Sequence, residues 1–128
     1  MEKDTYTEAL LLLLRVIVFA DGVFDKEEEN AIKEICGIEG ISEEYYQNFC
    51  ERAEKMSEKE MYLSGIDKVH ACSLNEQLNV FVWLYKIAEV DGKVHVKEVR
   101  FLLYSIRHAD IEFDQVEAAA EKMPPLTF

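Results

Sequence analysis

Two stretches of this chain are apolar around nearly the whole circumference of a helix. Residues 5–19 carry Leu10, Leu13, Leu14 and Ile17 on one helical stripe, with Leu11, Leu12, Val16 and Val18 over much of the rest. Residues 73–89 carry Leu78, Phe81, Val82, Tyr85 and Ala88 along one side, and Val80, Trp83 and Ile87 on others. A helix with no polar face has to be covered on all sides, so both stretches belong at the centre of a domain.

The segments between them read as further helices. Residues 26–36 put Ile32, Ile35 and Cys36 on an inner face, with Asp25 as N-cap and Glu28 completing a capping box. Gly37 and Gly40 then break the chain. Residues 42–56 repeat Tyr45, Tyr46, Phe49, Ala53 and Met56 at helical spacing. Ser57-Glu58-Lys59-Glu60 is a second capping box, opening a helix through residue 71 that buries Met61, Ile66 and Val69 and is weakened by Gly65. Ser73-Leu74-Asn75-Glu76 is a third box, at the head of the second apolar stretch. Residues 96–108 place Val99, Leu102, Leu103 and Ile106 inward. Asp114-Gln115-Val116-Glu117 opens a short last helix that Pro124-Pro125 ends. No segment alternates with period two. The expected fold is all-α, one domain over residues 1–128, built as a bundle of about seven helices.

Charge limits the partners. Lys and Arg number 14 against 26 Asp and Glu, a net charge of -12. That field repels phosphate backbones and anionic lipid, which excludes nucleic acid, and it favours cations and basic protein surfaces. The apolar run 9–19 is shorter than the roughly 20 residues of a membrane span, and Arg15 interrupts it, so no membrane insertion is expected. Its flank is acidic and no cleavage site follows, unlike a signal peptide. Cys36, Cys50 and Cys72 are odd in number and lack Cys-x-x-Cys spacing, which argues against a disulfide framework or a zinc ribbon. Each falls in an apolar helical pattern. A cytoplasmic, reducing location fits best.

Both apolar stretches run into the same motif. Ala20-Asp21-Gly22-Val23-Phe24-Asp25-Lys26-Glu27-Glu28 follows the first, and Val90-Asp91-Gly92-Lys93-Val94-His95-Val96-Lys97-Glu98 follows the second. Each is Asp-Gly, a hydrophobic residue two places after the Gly, and Glu seven places after the Asp. A shift of 70 residues superimposes Leu14 on Leu84, Ile17 on Ile87, Asp21 on Asp91, Gly22 on Gly92, Glu28 on Glu98 and Ile32 on Leu102. Helical periodicity alone accounts for the apolar matches but not for the Asp, Gly and Glu. The pattern predicts a duplicated helix–loop–helix unit with pseudo-twofold packing.

Two explanations of the motif are open. Gly22 and Gly92 can cap helix C-termini, with Asp25 and Glu28 as a capping box and no ligand. The second copy has His95 at the N-cap position, a poorer cap, yet retains Glu98. The two Asp sit near helix C-termini, where the dipole disfavours an acid and a nearby cation would offset the cost. The alternative is a divalent-cation site. Asp21, Glu28, Asp91 and Glu98 are hard oxygen donors suited to Ca, Mg or Mn, and Asp25 and Glu89 can add oxygens. Zn is not excluded, since His95 can offer an imidazole. The second half of an EF-hand loop is similar, but its opening acid positions fall on Ile17, Phe19, Ile87 and Glu89, three of them apolar, so a full EF-hand is rejected.

The paired motifs, each after an apolar helix, resemble the TerB-like family. This is the all-helical domain associated with bacterial tellurite resistance and similar to the N-terminal domain of a DnaJ-type membrane co-chaperone. Residues 88–98 are the nearer match and residues 20–28 the second; the resemblance spans residues 5–120. It implies a bundle of about seven helices with the acidic motifs near a pseudo-twofold axis. It also implies a metal-binding or metal-sensing module that works with protein partners in stress responses. The matching positions are Asp21, Glu28, Asp91 and Glu98. The first copy has Phe19 where the second has Glu89, so it holds one fewer donor.

The leading expectation is therefore a non-enzymatic, cytoplasmic, metal-binding TerB-like module with a protein partner. The competing one is a protein-interaction scaffold, with the motifs as caps and the acidic surface docking a basic partner. Catalysis ranks third. His70 or His108 could serve a metal-activated water as base, but no Ser/Cys/His triad or Gly-rich phosphate loop is recognisable.

Overall fold

Ala9, Leu10, Leu11, Leu12, Leu13 and Leu14 are each no more than 2% exposed, so the first apolar stretch is covered on every side. The computed structural model describes residues 2–18, 26–90 and 113–123. These form six α-helices: α1 (Glu2–Val18), α2 (Lys26–Glu39), α3 (Glu43–Ala53), α4 (Glu58–His70), α5 (Leu74–Val90) and α6 (Phe113–Glu121). Among the described residues there is no strand. Helix α1 is the hub. It packs most extensively on α4 and also touches α2, α3 and α5, while α5 carries α6. Among the described residues no helix is long and apolar enough to cross a membrane. The helix expected over residues 96–108 lies outside the described residues.

The predicted inner faces are buried. Ile32, Ile35 and Cys36 of α2, Tyr46, Phe49 and Ala53 of α3, and Met61 and Val69 of α4 all join one core with α1 and α5. Ile66 and Tyr45 are half-buried against it. The serine caps of α3, α4 and α5 also hold, while the box expected at Asp25 lies outside the described residues. Ser42 Oγ accepts from the Tyr45 amide at 3.1 Å, and Ser57 Oγ from the Glu60 amide at 3.1 Å. Ser73 forms the reciprocal box: its Oγ accepts from the Glu76 amide at 3.2 Å, and its own amide donates to Glu76 Oε1 at 3.0 Å.

The glycines depart from expectation. Helix α2 does not break at Gly37 but continues to Glu39. Gly40, at φ 74°, supplies the left-handed turn. There the Ile41 amide donates to Cys36 O at 2.9 Å and the Gly40 amide to Gly37 O at 3.4 Å. That pair is the Schellman arrangement, which ends a helix at the glycine in the left-handed region. Gly65 likewise does more than weaken α4. It is buried where α4 meets α1, and a Cβ there would lie 2.7 Å from Leu13 Cδ2 and 3.0 Å from Leu13 Cγ. The missing side chain lets the two helices approach.

The remaining differences are at helix ends. Helix α3 stops at Ala53 rather than residue 56, because Lys55 and Met56 donate back three residues, to Arg52 O and Ala53 O, and tighten the last turn. Helix α6 already includes Phe113, ahead of the expected opening at Asp114, and closes in the same way through Lys122 and Met123.

Two helical glycines should therefore respond with opposite sign. Gly37→Ala meets nothing within 4 Å and should raise stability by about 0.5–1 kcal/mol through helix propensity. Gly65→Ala should lower it by about 1 kcal/mol or more, because overpacking against fully buried Leu13 exceeds that gain. Urea unfolding of the two variants checks this; stabilisation by both would refute the tight α1–α4 contact.

Candidate functional site

The expected cation ligands fall at the margins of the described residues. Asp21, Asp25, Asp91 and Glu98 lie outside them. Glu28 stands in the first turn of α2 and Glu89 in the last turn of α5. His70 ends α4 and is exposed, whereas His95 and His108 lie outside the described residues. Among the described residues no three His, Cys, Asp or Glu side chains gather as a metal would require.

Tyr6, in the second turn of α1, faces Asn79 and Glu76 in the first two turns of α5, and also Glu39 at the end of α2. Trp83 of α5 donates from Nε1 to Glu39 Oε2 at 2.8 Å. The two central helices thus begin side by side, with the end of α2 against them. Burial, then the Glu39 charge, holds the Tyr6 phenol well above its ordinary range.

A second polar constellation joins α1, α3 and α4. Glu8 of α1 has its side chain 14% exposed. Its Oε1 accepts from Tyr45 Oη at 3.1 Å and from Arg52 Nη2. The Arg52 guanidinium lies 6.0 Å from the Phe49 ring centre, so one face rests on an aromatic ring. These residues border a cleft of about 490 Å³ whose floor is Leu12, Phe49, Ala53 and Met56 and whose α4 wall bears Ser64 and Lys68. Periodicity singled out Tyr45 but not its partners Glu8 and Arg52. They are 44 positions apart, and the available signal was an acid, Glu8, beside the apolar run that starts at Ala9.

The cysteines are not paired with one another. Burial, then the neighbouring Cys50 and Glu39, pushes the Cys36 thiol up to about 11. Burial and Glu76 do the same to Cys72, also to about 11, and its thiol donates to Lys68 O at 3.4 Å. Both are poor nucleophiles, because the thiolate is the reactive form. Arg15, the residue that interrupts the apolar run, is itself buried, and its Nη1 lies 3.9 Å from Cys50 Sγ.

Helix α5 uses its two buried polar side chains to finish other helices. Gln77 Nε2 donates to Val69 O and Cys72 O, each at 3.1 Å, and so closes the end of α4. Lys86 is 2% exposed. Its Nζ donates to Ala120 O at 3.3 Å and Met123 O at 3.2 Å. A cation at a helix C-terminus also meets the favourable end of the dipole.

Lys86→Met keeps the apolar stem but removes the donors, leaving Met123 O without this partner and Ala120 O with the Met123 amide alone. It should cost about 1–3 kcal/mol, read as a lower urea midpoint; an unchanged midpoint would show that the ammonium does not secure α6. Alkali should destabilise the protein as well. Cys36, Cys72, Tyr6 and Tyr46 are neutral when protonated, and folding raises all four, burial being the largest cause each time. The unfolded chain begins to release thiol protons near the ordinary value of 9.0, while the folded chain holds them to about 11. Between those values the unfolded state binds fewer protons, so stability is full below pH 9 and falls as pH rises. Urea midpoints from pH 7 to 11 should decline above 9, and a flat profile would contradict the burial of these groups.

No family model, curated protein or solved structure matches this chain.

Proposed function

We propose that this chain is a TerB-like, non-enzymatic module in which Asp21, Glu28, Asp91 and Glu98 hold a divalent cation, with Asp25 and Glu89 as additional oxygen donors. Hard oxygen ligands favour Ca, Mg or Mn, and His95 keeps Zn within range. In this reading residues 96–108 form a further helix, so that two helix–loop–helix units related by the 70-residue shift make up a seven-helix bundle. The role that goes with it is cytoplasmic metal binding or sensing in a stress response, exercised through a protein partner.

The observation that supports the reading is the relation of α1 to α5. They start side by side at Tyr6, Glu76 and Asn79 and pack on one another. In this reading the two helices run in the same direction, so that the motifs following them share one pole of the molecule. Asp91 follows Val90 directly in the sequence, and Asp21 comes three residues after Val18. Two helix C-termini at one pole add their negative partial charges to the carboxylates, a setting that a cation relieves.

Calorimetric titration of chelator-treated protein with Ca, Mg, Mn and Zn tests this. Saturable binding of one ion, weakened at least about tenfold in an Asp21→Asn/Asp91→Asn double variant, is the expected result. Weak binding that the double variant leaves unchanged would reduce the motifs to helix caps and leave the acidic interaction scaffold as the better reading.

A further inference from the structure

The cleft between α1, α3 and α4 is independent of the acidic motifs and has a chemistry of its own. We propose that it binds a small carboxylate with an apolar body, of the medium-chain fatty acid class. Its volume of about 490 Å³ falls within the roughly 300–1,000 Å³ of small-molecule sites. Its floor is hydrocarbon, aromatic ring and thioether, from Leu12, Phe49, Ala53 and Met56. A body that fills it without hydrogen-bonding groups gains burial and leaves no polar group stranded.

The rim selects the head group. Glu8 is matched by Arg52, so these two charges cancel, and Lys68 remains as an uncompensated positive charge on the opposite wall. Among the described residues Lys68 has no ion-pair partner. Arg52 gives Glu8 one nitrogen of a guanidinium that carries five N–H donors, and Phe49 and Glu8 hold it in place before a ligand arrives. A preorganised donor loses less freedom on binding. The cleft is thus a cationic, partly apolar recess on a protein of net charge -12. At physiological ionic strength exposed charges are screened beyond about 8 Å, so the local cations rather than the overall charge decide which head group enters. A carboxylate satisfies them, and an ammonium of the same chain length does not.

Sodium decanoate, kept below its micellar concentration, is the probe, titrated into the full chain by calorimetry. Saturable one-to-one binding is expected. Lys68→Gln should weaken it about fivefold while Lys68→Arg retains it. Ser64→Phe, which places a ring in the cleft from the α4 wall, should abolish it with the thermal transition unchanged. Decyltrimethylammonium should not saturate the site. The proposal is overturned if decanoate does not saturate, if the ammonium binds equally well, or if Lys68→Gln binds like the parent chain, since the last two outcomes would mean nonspecific apolar adsorption.

Discussion

The close contact of α1 and α4 at Leu13 and Gly65 sets the spacing of this fold. A Cβ on Gly65 would sit 2.7 Å from the end of Leu13, so the two helix axes come nearer than side chains on both would permit. That approach covers one side of α1 with backbone as well as side chains. It leaves the other sides for α2, α3 and α5, and Ala9 to Leu14 are covered all round as a result. Burying such a helix provides the hydrophobic drive. It also means that any polar side chain on α1 needs a partner from a neighbour. Glu8 finds Tyr45 and Arg52, and Arg15 lies against Cys50, all on α3. Glu8 and Arg15 therefore specify how α3 docks, which an apolar interface alone would leave loosely defined.

Helix α5 meets the same problem differently. Its buried polar groups, Gln77 and Lys86, take up carbonyls at the ends of α4 and α6. Val69 O and Ala120 O also accept the Cys72 and Met123 amides, and each carbonyl has a second lone pair to offer. Each contact therefore satisfies a buried side chain on the central helix and ties down the end of a peripheral one. A charged Lys86 in this position is consistent with near-total burial, because the helix dipole and two carbonyl oxygens replace the water it loses.

The helices were legible in the sequence because helix formation is local. Apolar spacing of 3.6 residues located α1 to α5, and serine followed three places later by glutamate marked the starts of α4 and α5. The glycines were not legible for the same reason. Propensity makes Gly37 and Gly65 alike, yet one continues an exposed helix and the other admits a neighbouring helix, and only tertiary contact separates them. The cleft was illegible because Glu8, Arg52 and Lys68 come from three helices whose juxtaposition is a property of the packing. For the acidic motifs the position is reversed. Spacing identified Asp21, Glu28, Asp91 and Glu98 as a set of donor types, but a local pattern contains no information on whether four carboxylates converge.

The two proposed sites divide the surface by charge, and α1 connects them. Glu8 lies at the cleft, and Val18, the last described residue of α1, stands ten residues later, about 15 Å along the axis. At physiological ionic strength the screening length is about 8 Å, so a cation bound beyond Val18 is largely screened from an anion bound at Arg52 and Lys68. Direct electrostatic coupling between the sites is correspondingly small. Any influence of one on the other has to travel through α1, whose contact with α4 at Gly65 is tight and whose rotation would drive Leu13 into the α4 backbone. A core packed this closely resists small continuous displacements. The arrangement favours two sites that fill independently, the acidic one drawing cations through the field of the whole molecule and the cationic one acting on an anion that has already come close.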